Sequence, residues 1–149
     1  MANSNMTTFG MAGGIILLAG LAAYFGLAHG CEQVASGRLA GRVTIAADLV
    51  DRVQATDVLY VILKRPGGTG RPLAAKRIER PYFPVTFEIT TADMIQQGTE
   101  LRGMVDVSAR LDKDGQAGPA QPGDIEGVFT KNPTLVGGEG IEIILDQLR

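Results

Sequence analysis

No charged side chain occurs from Met1 to Cys31; all 14 basic and all 16 acidic side chains lie beyond that point. A charge-free opening and a charge-dotted remainder cannot share one water-facing surface, so the chain of 149 residues reads as two unlike pieces. Phe9 to Gly30 runs FGMAGGIILLAGLAAYFGLAHG, without proline and with one titratable group, His29, near its end. As a helix rising about 1.5 Å per residue it spans about 33 Å, against a hydrocarbon core of about 30 Å. The expected organisation is a tail at 1–8, a transmembrane helix at 9–30, a linker at 31–36 and a globular domain at 37–149.

Two other readings compete for the same segment. A secretory signal needs a basic start, and residues 1–8 (MANSNMTT) carry no Lys or Arg. A lipoprotein signal is hinted at by Gly30 before Cys31, but His29 stands where a small residue is wanted. A retained span is the expectation; lipidation of Cys31 and cleavage are the alternatives. Arg38 and Arg42 follow the span, which by the positive-inside rule puts the domain in the cytoplasm. That rule weakens for long translocated domains, so charge alone leaves topology open. Within the span Ala22, Gly26 and Gly30 recur every fourth residue, the spacing that lets a second helix approach closely. The simpler reading is that Gly and Ala are common in membrane helices.

The rest of the chain carries short β-prone runs broken by Gly, Pro and Asp, the pattern of an all-β sandwich or barrel. Gly37–Ile45 is the first run, and Ala46–Val50 a helical turn with Leu49 and Val50 capping one end of the core. Val58–Lys64 (VLYVILK) is apolar enough for a central strand, and RPGGTGRP (65–72) turns it into Leu73–Ile78 as a hairpin. Pro84–Thr90 alternates, with Val85, Phe87 and Ile89 on one face, and Thr91–Ile95 reads as another short helical turn. Leu101–Leu111 is a long strand, Asp112–Gly115 a turn, and Gly140–Gln147 the last strand. About seven strands in one domain suit two packed sheets.

Chemistry is bounded by inventory. The chain has one Cys and one His, both in its charge-free part, so it offers no internal disulfide and no metal site built from several of these ligands. Ser108 has no histidine base within the β-rich part. GGTGRP lacks the Gly-Lys-Ser/Thr of a phosphate loop, and Asp112-Lys113-Asp114-Gly115 lacks the later ligands of an EF-hand. A net charge of −2 argues against a strongly basic nucleic-acid binder. The expectation is a protein without catalytic residues, cofactor or metal, whose partners are the membrane and other integral membrane proteins rather than nucleic acid.

Three segments occur together and in order: PLAAKR (72–77), FPVTFEIT (83–90) with Asp93-Met94, and VSARLDKDGQAGPAQPGDIEG (107–127). They resemble the C-terminal β-domain of cytochrome c-type biogenesis proteins of the CcmI/CycH type. Lys76, Arg77, Phe87, Arg110, Gly115, Pro122, Gly123, Asp124 and Gly127 match that pattern. The resemblance implies an Ig-like β-sandwich on the periplasmic side of a bacterial inner membrane, attached to machinery that presents apocytochrome c for haem ligation. Members of the family usually add a second span and a helical repeat region, and here a single span is expected to join the β-domain almost directly. Two functions stand: a membrane-anchored interaction or assembly protein related to c-type cytochrome biogenesis, or a permanent single-span accessory subunit of an electron-transfer or photosynthetic complex.

Residues for a partner surface follow. Lys76, Arg77 and Arg80 form either a basic edge for an acidic partner or a solvated strand paired with nearby carboxylates. Arg110 and Asp124 are expected to form a buried or half-buried pair pinning the long loop to the sheet, with a place at an interface as the alternative. In that loop (121–127) Pro122, Gly123 and Asp124 make a fixed turn, serving either recognition or a passage between sheets.

Overall fold

A computed structural model describes residues 37–149, and the expected span at 9–30, its stripe Ala22, Gly26 and Gly30, the linker and Cys31 lie outside them. Among the described residues no helix is long and apolar enough to cross a membrane. The described residues are all-β, with nine strands in two sheets and two short 3-10 turns. The strands are β1 (Arg38–Ile45), β2 (Val58–Lys64), β3 (Ala74–Glu79), β4 (Val85–Thr90), β5 (Met104–Asp112), β6 (Ile125–Val128), β7 (Thr134–Leu135), β8 (Ile141–Leu145) and β9 (Gln147–Leu148).

The smaller sheet has the order β4-β1-β8, with β1 antiparallel to β4 and parallel to β8. The larger runs β3-β2-β5-β6-β9, and β7 adds to the far end of β5. Alternation along each strand decides which side chains enter the core. The smaller sheet contributes Leu39, Val43, Phe87, Ile89, Ile143 and Leu145, and the larger Leu59, Val61, Leu63, Val105, Val107, Leu111 and Ile125, all in one cluster. Each such side chain is worth roughly 1.5–3 kcal/mol when fully buried, and together they fix the strand registers.

One strand expected at 140–147 proves to be two. The chain leaves the smaller sheet after Leu145, turns at Asp146, whose N–H donates to the Glu126 carbonyl at 3.1 Å, and pairs as β9 with β6. β6 and β8 therefore close one side of the sandwich. A Cβ placed on Gly127 would lie 2.1 Å from the Ile144 carbonyl oxygen, so only glycine permits this approach.

Two local expectations are corrected. Leu49 is buried, but Val50 is 49% exposed, because a turn with three residues per revolution carries its next side chain away from the core. The 121–127 segment does not pass between sheets. It closes the β5–β6 hairpin inside the larger sheet, and Ile125, Glu126 and Gly127 already belong to β6.

Candidate functional site

The outer face of the larger sheet is where charge collects. Register places Arg77 (β3), Tyr60 (β2), Arg110 (β5), Glu126 (β6) and Gln147 (β9) in one row across it. Val58 and Tyr60 point outward from β2 and yet are buried, because the chain after β5 folds back over them. The Tyr60 hydroxyl donates to the Gly115 carbonyl at 2.9 Å and accepts from Arg77 Nε at 3.3 Å. Gly115 sits at φ 69° with its Cα hydrogens facing Val58, a position where a side chain would be both strained and crowded.

Arg110 organises this cover. It is 7% exposed, with its guanidinium carbon 5.9 Å from the Tyr60 ring centroid. Nη2 meets Asp112 Oδ2 at 2.8 Å, Nη1 donates to the Gly118 carbonyl at 2.9 Å, and Nε lies 3.7 Å from Asp124 Oδ2. That last distance is an ion pair without a hydrogen bond, and Nε has no other partner. Asp112 and Asp124 are each 1% exposed. Asp124 accepts from the backbone of Lys113 (3.0 Å) and Gln121 (2.8 Å), and Asp112 from that of Gly115 (2.7 Å).

Burial pushes the Asp112 carboxyl above the usual range, helped by Asp114 and by the charge of Asp124 and opposed by Gly115 N–H and Arg110. Asp114 moves the other way, held down by the Gln116 N–H and by Asp112. One guanidinium thus balances two buried carboxylates and fastens both ends of the 113–124 loop. The expected Arg110–Asp124 pair is present, and Asp112 is its stronger, unforeseen member.

A second clasp holds the same loop. Lys113 Nζ meets Asp57 Oδ2 at 2.7 Å and also donates to the Arg52 carbonyl. Asp57 is fully buried and accepts from Gln54 N–H at 2.8 Å, while its Oδ1 has no partner. Arg149 completes the frame through backbone bonds with Gly123 and Asp124 and an ion pair with Glu126.

The residues expected to form a partner surface fall in different places. Lys76 and Arg77 point to opposite sides of β3. Lys76 pairs with Asp93 at 3.0 Å, and Asp93 also closes a capping box with Thr90. Arg77 pairs with Glu79 across the outer face. Arg80 is exposed just past the strand, at φ 49° in the left-handed region, with its N–H on the Asp57 carbonyl. In the loop Pro122 is exposed, Gly123 half-buried at φ 98°, and Asp124 buried beneath them. The arrangement displays a fixed Pro122–Gly123 turn above a charged clamp. Among the described residues no three His, Cys, Asp or Glu side chains are grouped to hold a metal ion.

Sequence reasoning missed Tyr60, Asp112, Asp57 and Lys113. Only the Arg110–Asp112 pair left a local signal, since residues two apart in a strand share a face.

Residues 39–146 match the family described as the cytochrome c-type biogenesis protein H Ig-like domain. An uncharacterized protein of Aquifex aeolicus (strain VF5) is 27% identical over 108 residues, which make up 72% of this chain and 69% of that protein. Among solved structures, an alternative pilotin from the type II secretion system of Vibrio cholerae aligns at 13% identity with a TM-score of 0.45, covering 74% of this chain and 96% of the other.

Proposed function

The chain belongs to the cytochrome c-type biogenesis protein H Ig-like domain family, and from that premise we propose that it is a membrane-anchored, non-catalytic interaction protein assisting c-type cytochrome assembly. The observation that carries the reading is the family match across 39–146, nearly all of the β-domain. The charge-free Phe9–Gly30 segment supports a membrane anchor, and the family resemblance alone is the ground for proposing a bacterial inner membrane with the β-domain in the periplasm. A clamped loop on a rigid sheet suits recognition, because little conformational freedom is lost when a partner binds it.

Anchoring a domain by a short linker keeps it close to the bilayer and raises its effective concentration toward a neighbouring membrane protein. Weak contacts of the domain then suffice once the helix has docked along Ala22, Gly26 and Gly30. The test is affinity purification of the full chain from native membranes in mild detergent, with Gly26→Leu as the comparison. The expected result is a co-purifying membrane complex that is lost or much reduced with Gly26→Leu, while the β-domain stays folded. Recovery of the same partners at the same yield would reduce the helix to a tether and leave partner choice to the domain alone.

A further inference from the structure

A second feature lies away from the Arg110 clamp, where the β2–β3 turn meets the chain that follows β4. A groove of about 570 Å³ opens there. Leu73, Met94 and Ile95 supply its apolar lining, and Lys64, Arg65 and Arg71 line it with positive charge. No Asp or Glu contributes to its lining. None of the three cations is ion-paired among the described residues. Three cations without an ion pair around one groove stand out in a chain whose net charge is −2.

Backbone bonds fix the groove in place. Leu73 N–H donates to the Leu63 carbonyl at 2.8 Å, Ile95 N–H to the Leu73 carbonyl at 2.9 Å, and Ala74 bridges Met94. The rim is held too: Gly67 N–H donates to Asp106 Oδ2 and Gly68 N–H to the Arg65 carbonyl, both at 2.8 Å. Asp106 is the register partner of Lys64, and Gly67 already occupies one oxygen of its carboxylate.

We propose that this groove binds an acidic peptide segment of a partner protein, with an aliphatic side chain seated on Leu73, Met94 and Ile95 and carboxylates facing Lys64, Arg65 and Arg71. Charge complementarity selects the occupant. Apolar lining within a concavity adds a requirement for a side chain, which a flat phospholipid headgroup layer does not meet. The proposal rests on the domain being an interaction module and names the chemistry of what it grips.

The probe is a fluorescein-labelled octapeptide of alternating Glu and Leu, titrated by anisotropy against the full chain in neutral detergent. Its Gln/Leu counterpart serves as the uncharged control. Glu/Leu is expected to bind at least tenfold tighter than Gln/Leu, and the advantage should shrink as salt rises. Arg65→Ala combined with Arg71→Ala should remove most of that advantage, whereas Lys131→Ala, on an exposed lysine outside the groove, should leave it intact. Ile95→Ser should weaken Glu/Leu binding severalfold without altering the salt dependence. Equal binding of the two peptides, or an undiminished Glu/Leu advantage in the double variant, would overturn the proposal. So would binding to phosphatidylglycerol vesicles, but not to peptide, lost in the same double variant, since that would make the groove a lipid site. If peptide binding fails while the membrane complex still co-purifies, the groove assignment falls and the assembly role does not.

Discussion

Arg110→Met is expected to lower the stability of the β-domain by about 3 kcal/mol, as for a buried charge network that loses one partner. Methionine fills much of the same space, so the loss is electrostatic. Asp112 and Asp124, both buried, would face each other without a cation, and the Gly118 carbonyl would lose its donor. The pH dependence has a definite sign. Asp112 already has a raised folded-state pKa, so ionising it costs stability above that pKa, and the cost is relieved as pH falls toward the unfolded value. Without Arg110 the Asp112 carboxyl rises further, and the deficit relative to wild type should be larger at pH 7 than at pH 5. Urea unfolding followed by circular dichroism at the two pH values measures this. Equal stability of the variant and wild type at pH 7 would mean that the clamp does not hold the loop.

Gly127→Ala is expected to do comparable damage for a steric reason. The added methyl would meet the Ile144 carbonyl oxygen at 2.1 Å and its carbon at 2.7 Å, both backbone atoms of β8 that cannot rotate aside. Either β6 or β8 must move, and both pack into the common core through Ile125, Ile143 and Leu145. Overpacking of this kind costs about 1–3 kcal/mol where side chains can adjust. With backbone on the receiving side, about 3 kcal/mol is expected. A melting temperature within a degree of wild type would contradict the closure of the sandwich through β6 and β8.

Much of the fold is legible in the chain. Val85, Phe87 and Ile89 alternate with Thr86 and Glu88, and β4 buries the first set and exposes the second. Val58–Lys64 reads as central because it is apolar on both sides, and it lies between β3 and β5. What covers its outer side is another matter. Tyr60 is buried by the Gly115 segment, 55 residues away in sequence, and no local pattern announces such a contact. β6 was hidden because Glu126 and Gly127 look like loop chemistry, whereas the glycine is there to admit β8.

The charged residues show the same division. Lys76 and Arg77 are adjacent in sequence, yet strand alternation sends them to opposite faces, where each finds a carboxylate. Lys64, Arg65 and Arg71 read only as the flanks of a turn, and folding that turn beside Met94 and Ile95 assembles the basic groove. Arg110 with Asp124 could be anticipated from the family pattern. The closer Asp112 contact required the loop to exclude water from the sheet face.

The central claim is that this domain serves the assembly of c-type cytochromes. Its most direct test is the amount of covalently attached haem in membrane c-type cytochromes, measured by haem staining in cells with and without the chain and normalised to apocytochrome by immunoblot. Loss of the chain should lower attached haem while apocytochrome persists, with recovery on re-expression of the full chain. Unchanged haem attachment, accompanied by loss of one assembled electron-transfer complex, would contradict the claim and make the chain an accessory subunit instead.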